Sequence, residues 1–214
     1  MIQRKPTVCV AAVLLSAVGV SAEARAQSDA NESGKVVFGI KISAGGRYDT
    51  VRLCVATGQG VKGGPAADVS FFTEFGVADR LTVTVDVPVM RPILFAAAFG
   101  MLQFEPEVTL STRAVRDEDI GLLVGAGLGL SLHYGPDNTS ATSGPERKPS
   151  FFAMGPRTSL YLGLDFPRPG ELFNFQLGFR PYITALLGVD DPEDHRGPVI
   201  GGQVEGQLRF DPEH

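Results

Sequence analysis

The sequence predicts an all-β protein: a single antiparallel, up-and-down transmembrane β-barrel of about eight strands, with eight to ten as the bounds. Three observations predict it. The first 26 residues have the pattern of an export signal. No later apolar run is long enough to cross a bilayer as a helix. Nearly every segment after residue 34 alternates apolar residues with small or polar ones. The bilayer core holds no water for unpaired backbone groups, so a chain that enters it without spanning helices closes its strands into a barrel.

The export signal begins with Arg4 and Lys5. An apolar run over residues 8–20 follows, interrupted only by Ser16 and Gly19, and Ala24-Arg25-Ala26 supplies a small-residue cleavage site. That run falls short of the roughly 20 residues a spanning helix needs, which favours a cleaved signal over an anchor. Cys9 has no small-residue lipoprotein box before it. The expected domains are a signal peptide over 1–26, a mobile polar lead over 27–34 and one barrel domain over 35–214. Without Arg4, Lys5, Arg25 and Glu23 the remaining chain carries 16 basic and 23 acidic residues, a net charge of −7. That balance disfavours a nucleic-acid partner, which wants a basic face. Cys54 alone remains after the signal, so no internal disulfide forms, and a lone thiol on an apolar strand reads as inert packing.

Residues 120–134 show the strand pattern most clearly. Ile120, Leu122, Val124, Ala126, Leu128, Leu130, Leu132 and Tyr134 make one apolar face, against Gly121, Leu123, Gly125, Gly127, Gly129, Ser131 and His133 on the other. Side chains alternate across a strand, so one face is oily and the other small or polar. In chain order, residues 35–43 alternate until Ala44-Gly45-Gly46 breaks them. Residues 50–57 alternate again, and 58–68 form a glycine-rich loop. A hairpin joins 69–76 to 81–89 through a tight turn at 77–80, with Pro88 marking where the ladder ends. Residues 90–100 are apolar without a period and receive no assignment. Strands then follow at 102–113, 120–134, 151–166, 173–187 and 200–210. Short turns lie at 116–119 and 167–170, and longer loops at 135–149 and 189–198.

That makes nine candidate strands, whereas a barrel with both ends on one side needs an even number. Joining 35–43 and 50–57 into one bent strand gives eight, the favoured count; a strand hidden in 90–100 would give ten. With eight, the short turns share the periplasmic side and the long connections face outside, which is the expected asymmetry. Trp is absent and Tyr scarce. Any interfacial girdle therefore rests mainly on Phe.

A family resemblance appears in residues 72–88. Glu74, Gly76, Asp79, Arg80, Leu81 and Pro88 stand in an E-x-G-x-x-D-R-L-x-x-x-x-x-x-P pattern. This resembles a hairpin of bacterial outer-membrane β-barrel proteins of the small OmpA- or OmpW-like type, including candidate aromatic-compound channels. The closing Leu208-Arg209-Phe210 is similar to the aromatic-ended final strand recognised by the barrel-assembly machinery, although Asp211–His214 follow it here. The resemblance implies residence in the cell outer membrane. It also implies the membrane's lipid, lipopolysaccharide and the barrel-assembly machinery as partners.

Several clusters invite chemical readings. Gly58, Gly60 and Gly63 match G-x-G-x-x-G, but no helix N-terminus follows to hold a phosphate, so the stretch reads as loop. Gly125, Gly127 and Gly129 read as relief of crowding on an inward face. Ser131 and His133 share that face. They are similar to the His-Ser pair of outer-membrane lipid A deacylases but reversed in order, and they read as a polar lumen pair. Asp190, Asp191, Glu193, Asp194 and His195 crowd one loop without EF-hand spacing, so no metal site and no cofactor is expected.

The strongest constellation is the polar face itself: Glu74, Asp86, Glu105, Glu107 and Glu205 with Arg113, Arg157, Arg180 and Arg209. Eight strands leave an interior just wide enough for side chains to fill. Charges confined there pair into a structural plug or line a narrow selective pore. The expectation is thus a structural outer-membrane barrel or a narrow passive channel, without catalysis. A lipid-modifying enzyme acting through Ser131 is one alternative. A soluble periplasmic barrel, apolar inside around a hydrophobic ligand, is another.

Overall fold

A strand with one apolar face needs a hydrogen-bonded neighbour on each edge, and this chain supplies them by closing its strands into a ring. The structure, a computed structural model, describes residues 34–49, 63–99, 102–116, 120–136, 150–166, 172–189 and 197–211. All lie in one unit, Asn31–His214. Its elements are β1 (Val36–Asp49), β2 (Gly64–Ala78), β3 (Leu81–Pro88), α1 (Met90–Phe99), β4 (Leu102–Phe104), β5 (Glu107–Arg116), β6 (Gly121–Pro136), β7 (Ser150–Phe166), β8 (Phe173–Gly188) and β9 (Gly197–Phe210).

Every pairing is antiparallel. The ring runs β1–β2–β3–β5–β6–β7–β8–β9 and returns to β1, with β4 beside β6. Phe104↔Leu132 and Glu107↔Gly129 keep one register across β6. β4 and β5 are therefore one wall strand. Pro106 interrupts it because proline has no N–H for the ladder, while its carbonyl still accepts from the Leu130 N–H at 3.1 Å. The barrel thus has eight wall positions.

The count is eight, though not by the expected joining of 35–43 to 50–57. Ala44-Gly45-Gly46 does not break the chain: β1 runs straight through it, paired with β2 on one edge and β9 on the other. Gly45 is required there because a Cβ would collide with the Gly202 carbonyl of β9. Residues 50–57, with Cys54, lie outside the described residues. The expected 58–68 loop is shorter than read, since β2 already begins at Gly64, after Gly63 in the left-handed region at φ 109°.

Residues 90–99 are a helix, which removes the ten-strand alternative. Met, Arg, Leu and three Ala favour helix, and Pro92 sits in the first turn where its missing N–H costs nothing. Alternation could not reveal it because its residues are apolar on almost every side.

The outer face is apolar. Phe38, Ile40 and Ile42 on β1, Val108 and Leu110 on β5, Leu160, Leu162 and Leu164 on β7, and Val204 and Leu208 on β9 are all more than a third exposed. The inner positions between them hold Lys41 and Ser43, Thr109 and Ser111, Ser159 and Tyr161, and Glu205 and Gln207, all buried. A soluble barrel around an apolar ligand requires the reverse. Aromatic pairs sit at both ends of the wall. Phe173–Phe210 (5.7 Å) and Phe166–Phe175 (6.1 Å) lie at the end of the short turns, and Tyr134–Phe152 (6.5 Å) at the end of the long loops. No described helix is long and apolar enough to cross a membrane; the strands form the wall.

Candidate functional site: a charge-filled lumen

Inward alternation puts one ionisable side chain after another on the barrel axis, from strands on opposite sides. Among the described residues the lumen holds seven carboxylates, Asp68, Glu74, Asp86, Glu105, Glu107, Asp165 and Glu205. It also holds seven cations, Lys41, Arg47, Arg91, Arg113, Arg157, Arg180 and Arg209. Burying a charge costs several kcal/mol unless it is paired. The equal numbers let each find a partner.

Three layers form. In the middle, Arg180 on β8 reaches across the barrel. Its Nε donates to Glu205 Oε1 at 2.7 Å, and its Nη1 donates to Thr109 at 2.8 Å and pairs with Glu107. Its guanidinium lies 4.9 Å from the centre of the Tyr161 ring. Glu107 also accepts from Ser159 Oγ at 2.8 Å and from Arg157 Nε at 3.1 Å. Lys41 on β1 pairs with Asp86 on β3 and lies 3.6 Å from Glu205 on β9. Gly127 makes this layer possible: a Cβ there would strike both the Glu107 carboxylate and the Ser159 hydroxyl.

Toward the loop end, Glu105 is a hub. It accepts from Arg157 at 2.7 Å, from Arg91 at 2.9 Å and from Ser131 Oγ at 3.0 Å, with Arg47 3.8 Å away. Arg157 also lies over the Tyr182 ring, 3.7 Å from its centre. Above it an apolar cluster of Ala153, Tyr182, Leu186 and Val199, with Phe95 of α1, fills the mouth. Toward the turn end, Arg209 pairs with Glu74 at 2.5 Å and with Asp165 at 3.3 Å, and Arg113 pairs with Asp165 at 2.9 Å. Lys35 and Asp211 pair at the rim.

Among the described residues, two small voids flank the middle layer. One is lined by Ser43, Asp68 and Glu105 among others, the other by Glu74, Thr84 and Arg209, and Arg180 and Asp86 border both. The first has room for about two waters and the second for about one. Arg180 and its partners are therefore a septum.

All nine residues singled out from the sequence lie in this lumen and in this network. Five charged members were not singled out. Lys41 and Asp165 carried the signal, since they share alternating faces with Gly39 and with Arg157. Arg47, Asp68 and Arg91 stood beyond the expected break, in the expected loop and in the unassigned segment.

Ser131 and His133 also face inward and are almost fully buried. Ser131 Oγ is 2.7 Å from His133 Nε2 and gives its single proton to Glu105, which itself lies 3.4 Å from the same imidazole nitrogen. An activated serine gives its proton to the imidazole, and the orienting carboxylate sits on the far ring nitrogen. Here the carboxylate is on the serine's side. The acidic cluster at 190–195 and the Gly58–Gly60 part of the glycine motif lie outside the described residues.

No family model and no curated protein matches the chain. Among solved structures it is similar to Neisserial surface protein A, with a TM-score of 0.55 and 11% identity over 84% of this chain and 97% of that one. Outer membrane protein OprG from Pseudomonas aeruginosa (TM-score 0.47, 12% identity) is covered to 97% by 84% of this chain. Outer membrane protein AlkL (TM-score 0.47, 16% identity) is covered to 96% by 89% of this chain. The likeness is one of fold: this chain is an eight-stranded antiparallel β-barrel, similar in fold to Neisserial surface protein A.

Proposed function

We propose that this protein is a structural barrel of the cell outer membrane whose lumen is closed by its own charges. The observation that carries this reading is the septum at Arg180. Guanidinium, carboxylates and hydroxyls span the barrel at its middle, and the two described voids beside them have room for only a few waters. A conducting pore needs sites weak enough for a solute to leave, whereas each group here is already held by one of opposite charge. Its partners on this reading are outer-membrane lipid and lipopolysaccharide around the apolar belt. The barrel-assembly machinery would recognise the strand ending at Phe210. The inward, buried placement of Ser131 speaks against lipid chemistry at that serine.

Membrane fractionation with gel migration before and after boiling tests the placement, and planar-bilayer recording tests the closure. A boil-dependent shift in the outer-membrane fraction and an electrically silent bilayer are expected. Stable single-channel steps from the intact protein would replace the structural reading with a narrow channel. A soluble periplasmic protein without a shift would overturn the membrane placement.

A further inference from the structure

β3 has 8 residues where β2 has 15 and β6 has 16. A tilted strand needs about 9–11 residues to cross the hydrocarbon core, so β3 falls short of a full crossing. From Leu81 to Asp86 it pairs on both sides, with β2 and with β5. Past Pro88 it stops. β2 continues to Gly64, and β4, whose described pairing is with β6 alone, lies across the gap. α1 stands in that gap and packs against β2 and β4.

Two anchors hold its inner face. The Asp68 carboxylate of β2 accepts the Arg91 backbone N–H at 2.9 Å, which serves the helix N-terminus as a cap residue would. The Arg91 guanidinium then reaches Glu105 at 2.9 Å, and Phe95, one turn on, enters the apolar cluster at the mouth. The opposite face carries Ile93 (60% exposed), Leu94 (51% exposed), Ala96 and Ala97. Arg91 is the sole polar residue of the helix. A helix apolar on both faces belongs among apolar neighbours, and the inner face already has its own. Ala67 of β2 and Leu102 of β4, which flank the helix, are exposed apolar residues too, so the outer belt runs through it without a break.

We infer that α1 is a segment of the membrane wall: its Ile93–Leu94 face contacts lipid acyl chains and completes the crossing that β3 leaves short. The inference rests on the bilayer placement proposed above, and the experiment separates the two. The chain has no Trp, so Leu94→Trp is a single fluorescent reporter. It is reconstituted into phosphatidylcholine vesicles with and without brominated phosphatidylcholine. Leu128→Trp, on the outer face of β6 where Leu128 is 69% exposed, is the belt reference, and Asp79→Trp in the turn is the water reference. Ile93→Trp replaces Leu94→Trp if the latter loses its boil-dependent gel shift.

The expected result is blue-shifted emission that bromolipid quenches as fully as it quenches Leu128→Trp. Quenching by acrylamide and none by bromolipid, as for Asp79→Trp, would overturn the inference. Blue-shifted emission quenched by neither agent would also overturn it, and would mean a protein neighbour such as a second copy. If Leu128→Trp is itself untouched by bromolipid, the bilayer placement fails and this inference with it.

Discussion

The two ends of the lumen are closed in different ways. At the turn end, Arg209, Glu74 and Asp165 project from regular strand positions, and Arg113 stands where β5 shifts register against β6. At the loop end Arg47, Ser131 and Arg157 also project from regular strand positions. Two groups there do not: Arg91 is on a helix, and Glu105 itself precedes the ladder gap at Pro106. A regular wall places charges at fixed heights along the axis, and that suffices where the barrel is complete. Where β3 stops, one charge, Arg91, and one member of the apolar cluster, Phe95, come from an element that is not a strand. Alternation builds the septum and most of both ends; at the loop end the helix adds Arg91 and Phe95.

The largest effect is expected at the septum, which both ends share. Arg180→Leu leaves Glu107 and Glu205 buried without their main partner and should cost about 3–5 kcal/mol. The readout is the midpoint temperature of the boil-dependent gel shift, and an unchanged midpoint would contradict the septum's structural role. Glu105→Gln removes one charge from beneath three arginines while keeping the shape. It should cost about 2–3 kcal/mol and loosen the loop end selectively, seen as faster hydrogen exchange in α1 and β4. Arg209→Met should cost less, about 1–2 kcal/mol, because its side chain is 16% exposed and water can reach the carboxylates it leaves. It should leave exchange in α1 unchanged, which sharpens the contrast between the ends.

A smaller contrast separates inner from outer glycines. Gly127→Ala pushes into Glu107 and Ser159 and should cost about 1–3 kcal/mol. In Gly206→Ala the new methyl meets only the Phe175 ring, at 3.7 Å, so it should change the midpoint by less than about 0.5 kcal/mol.

Those same contrasts explain what the sequence reveals. Alternation marks β6 to β9 because their inner and outer media differ sharply, and it puts all nine expected ionisable residues on the inner face. It cannot mark α1, where Met90–Phe99 is apolar toward the cluster at the mouth and apolar outward as well. Nor does it show that Ala44-Gly45-Gly46 continues a strand. Glycines signal a break unless one knows that Gly202 lies against them from β9, a contact between residues far apart in the chain. The same distance hides Asp68 as the cap of a helix 22 residues later. The Arg180–Glu107 pair joins residues 73 apart across the barrel. Its members were legible as inward charges; their pairing was legible only once the ring had closed.

A lumen shut by paired charges at its middle should carry no current until those charges are removed. Planar bilayers are compared for the intact protein and for a variant with the septum trimmed by Arg180→Ala, Glu107→Ala and Glu205→Ala. A closed lumen predicts silence from the first and ion-conducting steps from the second. Equal conductance from both would contradict it.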